Sequence, residues 1–161
     1  MAPGTTVSFT DNFAGVYAQD VARTLGDFPL ARDADGAGYT LAAVVDDAAM
    51  GVTEVVRGDD LLAATPAQIL VQRALGLPMP QYCHVPLVVG PDGRRLAKRH
   101  GDTRLAAYRA RGVAPEAILG RLAASCGWGD GTPLTLSDLL PLFTLHSLPP
   151  TPACCSTFAV F

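Results

Sequence analysis

The chain has 161 residues, 49% hydrophobic and 17% charged, with a formal charge of −3, which is enough apolar chain for a proper core and argues against disorder or general adhesion to nucleic acid. No apolar run approaches the roughly 20 residues that a membrane helix needs. The opening Met1-Ala-Pro-Gly-Thr-Thr6 has neither the basic flank nor the apolar run of a secretory signal, so a soluble cytoplasmic protein is expected.

Val7-Ser-Phe-Thr10 alternates and predicts a strand, followed by a turn near Gly15 and a second strand over Val16–Val21. Asp33-Ala-Asp-Gly-Ala-Gly38 is a turn-rich loop suited to a hairpin. From Tyr39 to Met50 the apolar positions Leu41, Ala42, Val45, Ala49 and Met50 fit one helical face, ended by Gly51. Val52–Val56 is β-branched and predicts a short strand. Thr65-Pro66-Ala67-Gln68 predicts a helix start, with a threonine cap, proline at the first position and glutamine at the third. That helix carries Ile69, Leu70, Ala74 and Leu75 and stops at Gly76. Tyr82–Val89 reads as one strand, and Gly90–Gly93 turns the chain. Helices are expected at 103–111, at 115–126 with Pro115 in its first turn, and at 136–143. The stretch from Ser147 to Phe161, with three prolines and two cysteines, is expected to be irregular. Strands alternating with helices and followed by helices alone predict an α/β sheet with a helical extension.

Cysteines stand at 83, 126, 154 and 155 without a C-x-x-C pair, and His84, His100 and His146 are widely spread. The pattern suggests reduced thiols rather than a zinc site, and no metal ligand is assigned. Charge is more informative. Lys98 is the only lysine among eleven arginines, and it lies in Arg94-Arg-Leu-Ala-Lys-Arg-His-Gly101. Between Arg94 and Arg111 fall seven of the twelve Lys/Arg residues, opposed only by Asp102. A local positive stripe on a mildly acidic molecule points to a localised phosphate contact, and a lone ammonium on a flexible stem suits moving phosphates. A solvated helix face is the plain alternative for the stripe.

Three segments together resemble the catalytic domain of the glutamate-specific class I aminoacyl-tRNA synthetases. They are Tyr39-Thr-Leu-Ala-Ala-Val-Val-Asp-Asp47, Gly51-Val-Thr-Glu-Val-Val-Arg-Gly-Asp-Asp60, and His84-Val-Pro-Leu87 followed by Arg95-Leu-Ala-Lys-Arg99. The last pentapeptide resembles the KMSKS loop, usually KLSKR in this family, with arginine for the first lysine and alanine for the serine. The resemblance runs in uninterrupted order from about Val7 to about Phe143. Phe9-Thr-Asp11 with Gly15, and the early end after the third C-terminal helix, favour the short glutamyl-queuosine tRNA(Asp) synthetase subfamily. The A-P-S-P-T-G stretch, the HIGH motif and the zinc-binding insertion of such enzymes have no counterpart here. The chain is therefore expected to be the C-terminal part of an enzyme, inactive by itself and prone to self-association.

The resemblance implies a partial Rossmann-like catalytic domain over 1–101, a helical extension over 102–146 and an irregular tail over 147–161. It implies ATP as substrate with Mg²⁺ held mainly by the nucleotide, zinc not expected, and glutamate and the anticodon arm of tRNA(Asp) as partners, with no membrane. Lys98 becomes the catalytic candidate, beside Arg95, Leu96, Ala97 and Arg99, with Leu87 and Val88 lining the adenine. Arg57 and Tyr39 become the glutamate-binding candidates. Each has a structural alternative. Arg57 fits equally a pair with Asp59 or Asp60, and Tyr39 fits a core position. Asp46 and Asp47 suit a helix surface or a contact to the tRNA end. The same motifs also fit a non-catalytic remnant that binds RNA or ATP weakly, or, more remotely, an unrelated nucleotide-binding module.

Overall fold

The computed structural model describes residues 4–33, 36–96 and 104–154. The chain divides after Val85 into two compact units. In the first unit, β1 (Thr6–Asp11) and β2 (Gly15–Asp20) form an antiparallel hairpin. Gly15 closes it at φ +79, in the left-handed region where glycine pays no Cβ penalty. A short helix α1 (Val21–Thr24) follows, capped by the Asp20 side chain, and then the small hairpin β3 (Ala31–Asp33) and β4 (Gly36–Ala37). Helix α2 (Tyr39–Ala49) leads to β5 (Glu54–Gly58), and α3 (Thr65–Leu75) to β6 (Gln81–Val85). The main sheet has the order β2-β1-β6-β5, with β1, β6 and β5 mutually parallel along their shared pairings. The expected α/β sheet is present.

Alternation in β1 buries Val7, Phe9 and Asp11 on one face and exposes the residues between them. Val7 and Phe9 join Val21, Ile69 of α3 and Tyr82 of β6 in the core, with the Phe9 and Tyr82 rings edge to face at 5.7 Å. Helix α2 differs from expectation in phase. Val44 is its buried residue, Leu41 and Ala48 are half-buried, and Val45, Ala49 and Met50 are exposed. Apolar residues surround most of this helix, so spacing alone could not choose the face; packing against α3 does. Strand β5 starts two residues later than expected because Val52 N–H still bonds Asp47 O across the Gly51 turn (φ +69), closing the helix end.

The expected strand 82–89 is interrupted where the first unit ends. β6 ends at Val85, Pro86 offers no N–H to a ladder, and β7 (Val88–Val89) pairs instead with β8 (Ala153–Cys154), inside the stretch expected to be irregular. Val89 also bridges Arg95 across the turn at Gly90–Gly93. Then come α4 (Leu105–Ala110), α5 (Pro115–Ser125) and α6 (Leu136–Leu139), which continues as a 3₁₀ turn over Leu140–Leu142 where Pro141 falls. Thr135 and Asp138 form a capping box at the start of α6.

Gly120 on α5 permits the closest approach in the second unit. A Cβ there would lie 1.9 Å from the Thr132 carbonyl oxygen, in a loop tied to the helix by Leu134 N–H to Glu116 O at 3.0 Å. Gly120→Ala should therefore push the 131–134 loop away and cost about 3 kcal/mol, the upper range for overpacking. Urea unfolding of the wild type and the variant measures the difference.

Candidate functional site at the carboxyl ends of the parallel strands

Asp11 is the last residue of β1, and Arg57 and His84 are the penultimate residues of β5 and β6. Arg57 and His84 are direct register partners. Three polar residues thus stand side by side at the carboxyl ends of neighbouring parallel strands, the edge at which open α/β sheets bind ligands. Among the described residues the buried polar side chains are Asp11, Thr65, Gln68, Gln72 and His84, and all but Gln72 belong to this cluster. Polar groups without water must satisfy one another.

They do so around the guanidinium of Arg57. Its Nε–H donates to His84 Nε2 at 3.0 Å, and Nη2 donates to Thr65 Oγ1 at 2.8 Å and to Gln68 Oε1 at 2.7 Å. A guanidinium only donates, so His84 Nε2 carries a lone pair and the ring proton sits on Nδ1. Nδ1–H donates to Asp11 Oδ2 at 2.6 Å. Thr65 Oγ1 also lies 3.1 Å from His84 Nε2, but with that lone pair taken by Arg57 its single proton goes to Leu61 O, also at 3.1 Å. Arg57 also lies over the Tyr82 ring, 5.5 Å from Cζ to its centroid. Every acceptor on Arg57 is neutral, and Nη1 makes no hydrogen bond among the described residues. The charge of this half-buried fork is held in place without being neutralised by contact. Such a group suits a carboxylate.

The arrangement of Thr65, His84 and Asp11 has the outline of a nucleophile triad and cannot act as one. Arg57 occupies the lone pair that would take the hydroxyl proton, and Thr65 has no solvent exposure.

Asp11 anchors the assembly. Burial works to raise its carboxyl, but the N–H of Ala14, the His84 ring, and the N–H groups of His84 and Phe13 together hold it below its ordinary 3.8. Burial likewise raises the Tyr82 phenol, against the Gln72 hydrogen bond and the nearby Arg57 charge, and raises the Cys83 thiol, as expected for a reduced, unreactive cysteine.

The structure corrects three expectations here. Arg57 bonds His84, Thr65 and Gln68 rather than Asp59 or Asp60. Thr65 and Gln68, taken as a helix cap and its partner, make no capping bond; α3 runs on from a 3₁₀ turn over Asp59–Ala64, which leaves both side chains to hold Arg57. Tyr39 is 61% exposed at the start of α2 and is not a core residue; no hydrogen bond joins it to Arg57 among the described residues. In the second unit Leu87, Val88 and Leu96 are half-buried, with Leu96 N–H bonded to Val88 O at 3.2 Å, and Arg95 is exposed on the hairpin. Ala97, Lys98 and Arg99 lie outside the described residues. Sequence reasoning quoted Asp11 and His84 as motif members without a role. The usable signal was polarity at inward positions, an aspartate in phase with Val7 and Phe9 and a histidine inside an apolar strand.

The chain is similar to known proteins. Residues 3–134 match the family model of the class I tRNA synthetases for E and Q, catalytic domain. The chain belongs to that family, a family of ligases. It is 50% identical over 152 residues to the glutamyl-Q tRNA(Asp) synthetase of Symbiobacterium thermophilum, covering 93% of this chain and 46% of that protein. It is 45% identical over 148 residues to a glutamate–tRNA ligase of Oleidesulfovibrio alaskensis, covering 90% of this chain and 31% of that protein. The chain thus spans less than half the length of these relatives. The crystal structure of a glutamate tRNA ligase from Elizabethkingia meningosepticum in complex with its amino acid superposes with a TM-score of 0.78 over 96% of this chain and 34% of that one, at 24% identity. That likeness shows the fold.

Asp11→Asn should unfold more easily at pH 7 by about 3 kcal/mol, the scale of breaking a buried charge-assisted pair. Because the folded carboxyl sits below 3.8, its contribution is complete above the ordinary carboxylate range and is lost as pH falls through the lower folded value. The stability gap between wild type and variant, followed by denaturant titration, should therefore close as pH drops from about 5 towards 2. A gap constant across that window would remove Asp11 from this role.

Proposed function

We propose that this chain supplies the glutamate-binding and phosphate-binding portion of an enzyme that activates glutamate with ATP and transfers it to the queuosine base of tRNA(Asp). The observation that carries the reading is Arg57, a pre-oriented guanidinium at the carboxyl ends of parallel strands whose acceptors among the described residues are all neutral. Glutamate offers a side-chain carboxylate, which the N–H groups of Nη1 can bind in charge-assisted hydrogen bonds. The name of the 50%-identical relative supports the acceptor assignment.

In the reaction, a glutamate α-carboxylate oxygen attacks the α-phosphorus of ATP, the bond to pyrophosphate breaks, and the acyl group then passes to a hydroxyl of the acceptor with release of AMP. The protein's task is to position the two anions and offset the charge that develops on the phosphates. Lys98 takes the catalytic role, with Arg95 and Arg99 as outer partners. Leu96 and Ala97 complete the loop, and Leu87 and Val88 lie on the adenine side. Mg²⁺ would come with the nucleotide. Tyr39, exposed where α2 begins, can donate its phenol to glutamate.

Arg94, Arg95, Arg104, Arg109 and Arg111 are all exposed, which supports a phosphate contact with the anticodon arm of the tRNA. Exposed Leu136, Leu140, Leu142 and Phe143 support self-association of the isolated chain. No described helix is long and apolar enough to cross a membrane, and a cytoplasmic setting belongs to the same reading.

The test is a chimera in which the part of the Symbiobacterium thermophilum protein left uncovered by the match is joined to this chain. Arg57→Ala in that chimera should raise the glutamate KM at least about tenfold while leaving the ATP KM within about twofold. Equal rises would make Arg57 structural. Lys98→Ala should slow glutamate-dependent ATP–pyrophosphate exchange about a hundredfold or more, with partial rescue by Lys98→Arg. Radiolabelled glutamate should appear on queuosine-containing tRNA(Asp), and label on tRNA(Glu), or on tRNA(Asp) lacking queuosine, would defeat the acceptor assignment.

A further inference from the structure

We propose that His84, with Asp11 behind it, is a positioning residue for the carboxylate of the amino-acid substrate, fixing the Arg57 guanidinium so that its Nη1 edge is the one that reads the substrate. The inference rests on the reading of Arg57 as the glutamate-binding cation.

The geometry carries it in three steps. First, Arg57 and His84 are register partners on parallel strands, so the backbone ladder itself sets the distance between the guanidinium and the imidazole. Second, the imidazole has only one workable tautomer. Asp11 takes Nδ1–H at 2.6 Å, and both of its oxygens also accept the His84 backbone N–H at 3.1 Å. Ring and backbone are thus gripped by one carboxylate. With the other tautomer, an N–H on Nε2 would face the Arg57 Nε–H, donor against donor, and Nδ1 would turn a lone pair toward a carboxylate. Both side chains are wholly buried, so no water can relieve that mismatch. The ring is further held by stacking on Tyr82 at 6.0 Å and 20°. Third, the contacts divide the guanidinium into two edges. Nε and Nη2 are committed to His84, Thr65 and Gln68, and the two N–H groups of Nη1, which have no partner among the described residues, are left to act on a ligand.

An arginine on this strand end without His84 would still be cationic, yet it would sample rotamers that turn Nη1 elsewhere. The rotamer restriction would then fall at substrate binding. His84 touches no substrate atom in this scheme; it acts through Arg57.

The experiment uses the full chain labelled with ¹⁵N. In the wild type, long-range proton–nitrogen correlation should show His84 with Nδ1 protonated and Nε2 unprotonated, and the Arg57 Nε–H should exchange slowly. Glutamate is then titrated while the Arg57 Nε resonance is followed, with ATP titrated as the control ligand. His84→Phe keeps a ring but has no acceptor, and it should weaken glutamate binding about tenfold or more while ATP affinity stays unchanged. His84→Gln, which offers both a donor and an acceptor, should restore part of the loss. Three results overturn the proposal: a protonated Nε2 in the wild type, a folded His84→Phe with unchanged glutamate affinity, or equal losses for glutamate and ATP. Should His84→Phe not fold, the wild-type ring state and the glutamate-to-ATP comparison in His84→Gln decide the matter. Arg57→Ala separates the two levels. If it loses glutamate binding while His84→Phe does not, only the positioning role fails. If glutamate leaves Arg57 unmoved in the wild type, or Arg57→Ala binds it as well as the wild type, the reading of Arg57 and this inference fall together.

Discussion

A guanidinium can be held still without being neutralised, and the polar residues at the strand ends of the first unit do this for Arg57. A carboxylate in direct contact with Arg57 would hold it well and compete with any incoming anion. The acceptors here are an imidazole nitrogen, a hydroxyl and an amide oxygen, with the negative charge of Asp11 one residue further back. Burial of the supporting polar groups is affordable because each is satisfied, and the same low-polarity surroundings strengthen each bond. Removing one partner leaves the others stranded, so the cluster is cooperative by construction.

The cluster also links elements far apart in the chain. Asp11 accepts from Phe13 and Ala14 and so shapes the first hairpin, while its other bonds reach β6. Thr65 and Gln68 tie in the start of α3, where a cap would ordinarily stand. The apolar core beneath, built by Val7, Phe9, Ile69 and Tyr82, supports the same strand ends. Packing and polar network are alternate rungs of the same strands, since Asp11 follows Phe9 and His84 follows Tyr82 in the inward-facing phase.

Much of this was legible in the sequence. Alternation in 7–10 placed β1, Gly51 and Gly76 marked helix ends, and the ordered segments around Arg57 and His84 pointed to the family. The α2 face was not legible, because a helix of alanines and valines offers several apolar stripes and only its neighbour selects one. Nor was the break at Pro86, where the short β7 takes a partner 65 residues away in the chain. The support of Arg57 was hidden for a related reason. Asp11, Thr65, Gln68 and His84 are scattered along the sequence, and two of them imitate a local helix signal. A Thr-Pro-x-Gln start satisfies the rules for a cap, and nothing within those four residues reveals that a strand-end arginine claims both side chains.

The two edges of the Arg57 guanidinium have a consequence for what chemistry can replace it. An ammonium has three protons on one nitrogen, and donating to His84, Thr65 and Gln68 would spend all of them. Arginine brings breadth as well as charge to this position: one planar group fills the cradle on one side and keeps two further N–H groups on the other. A lysine here would leave either part of the cradle or the side facing away from it without a donor.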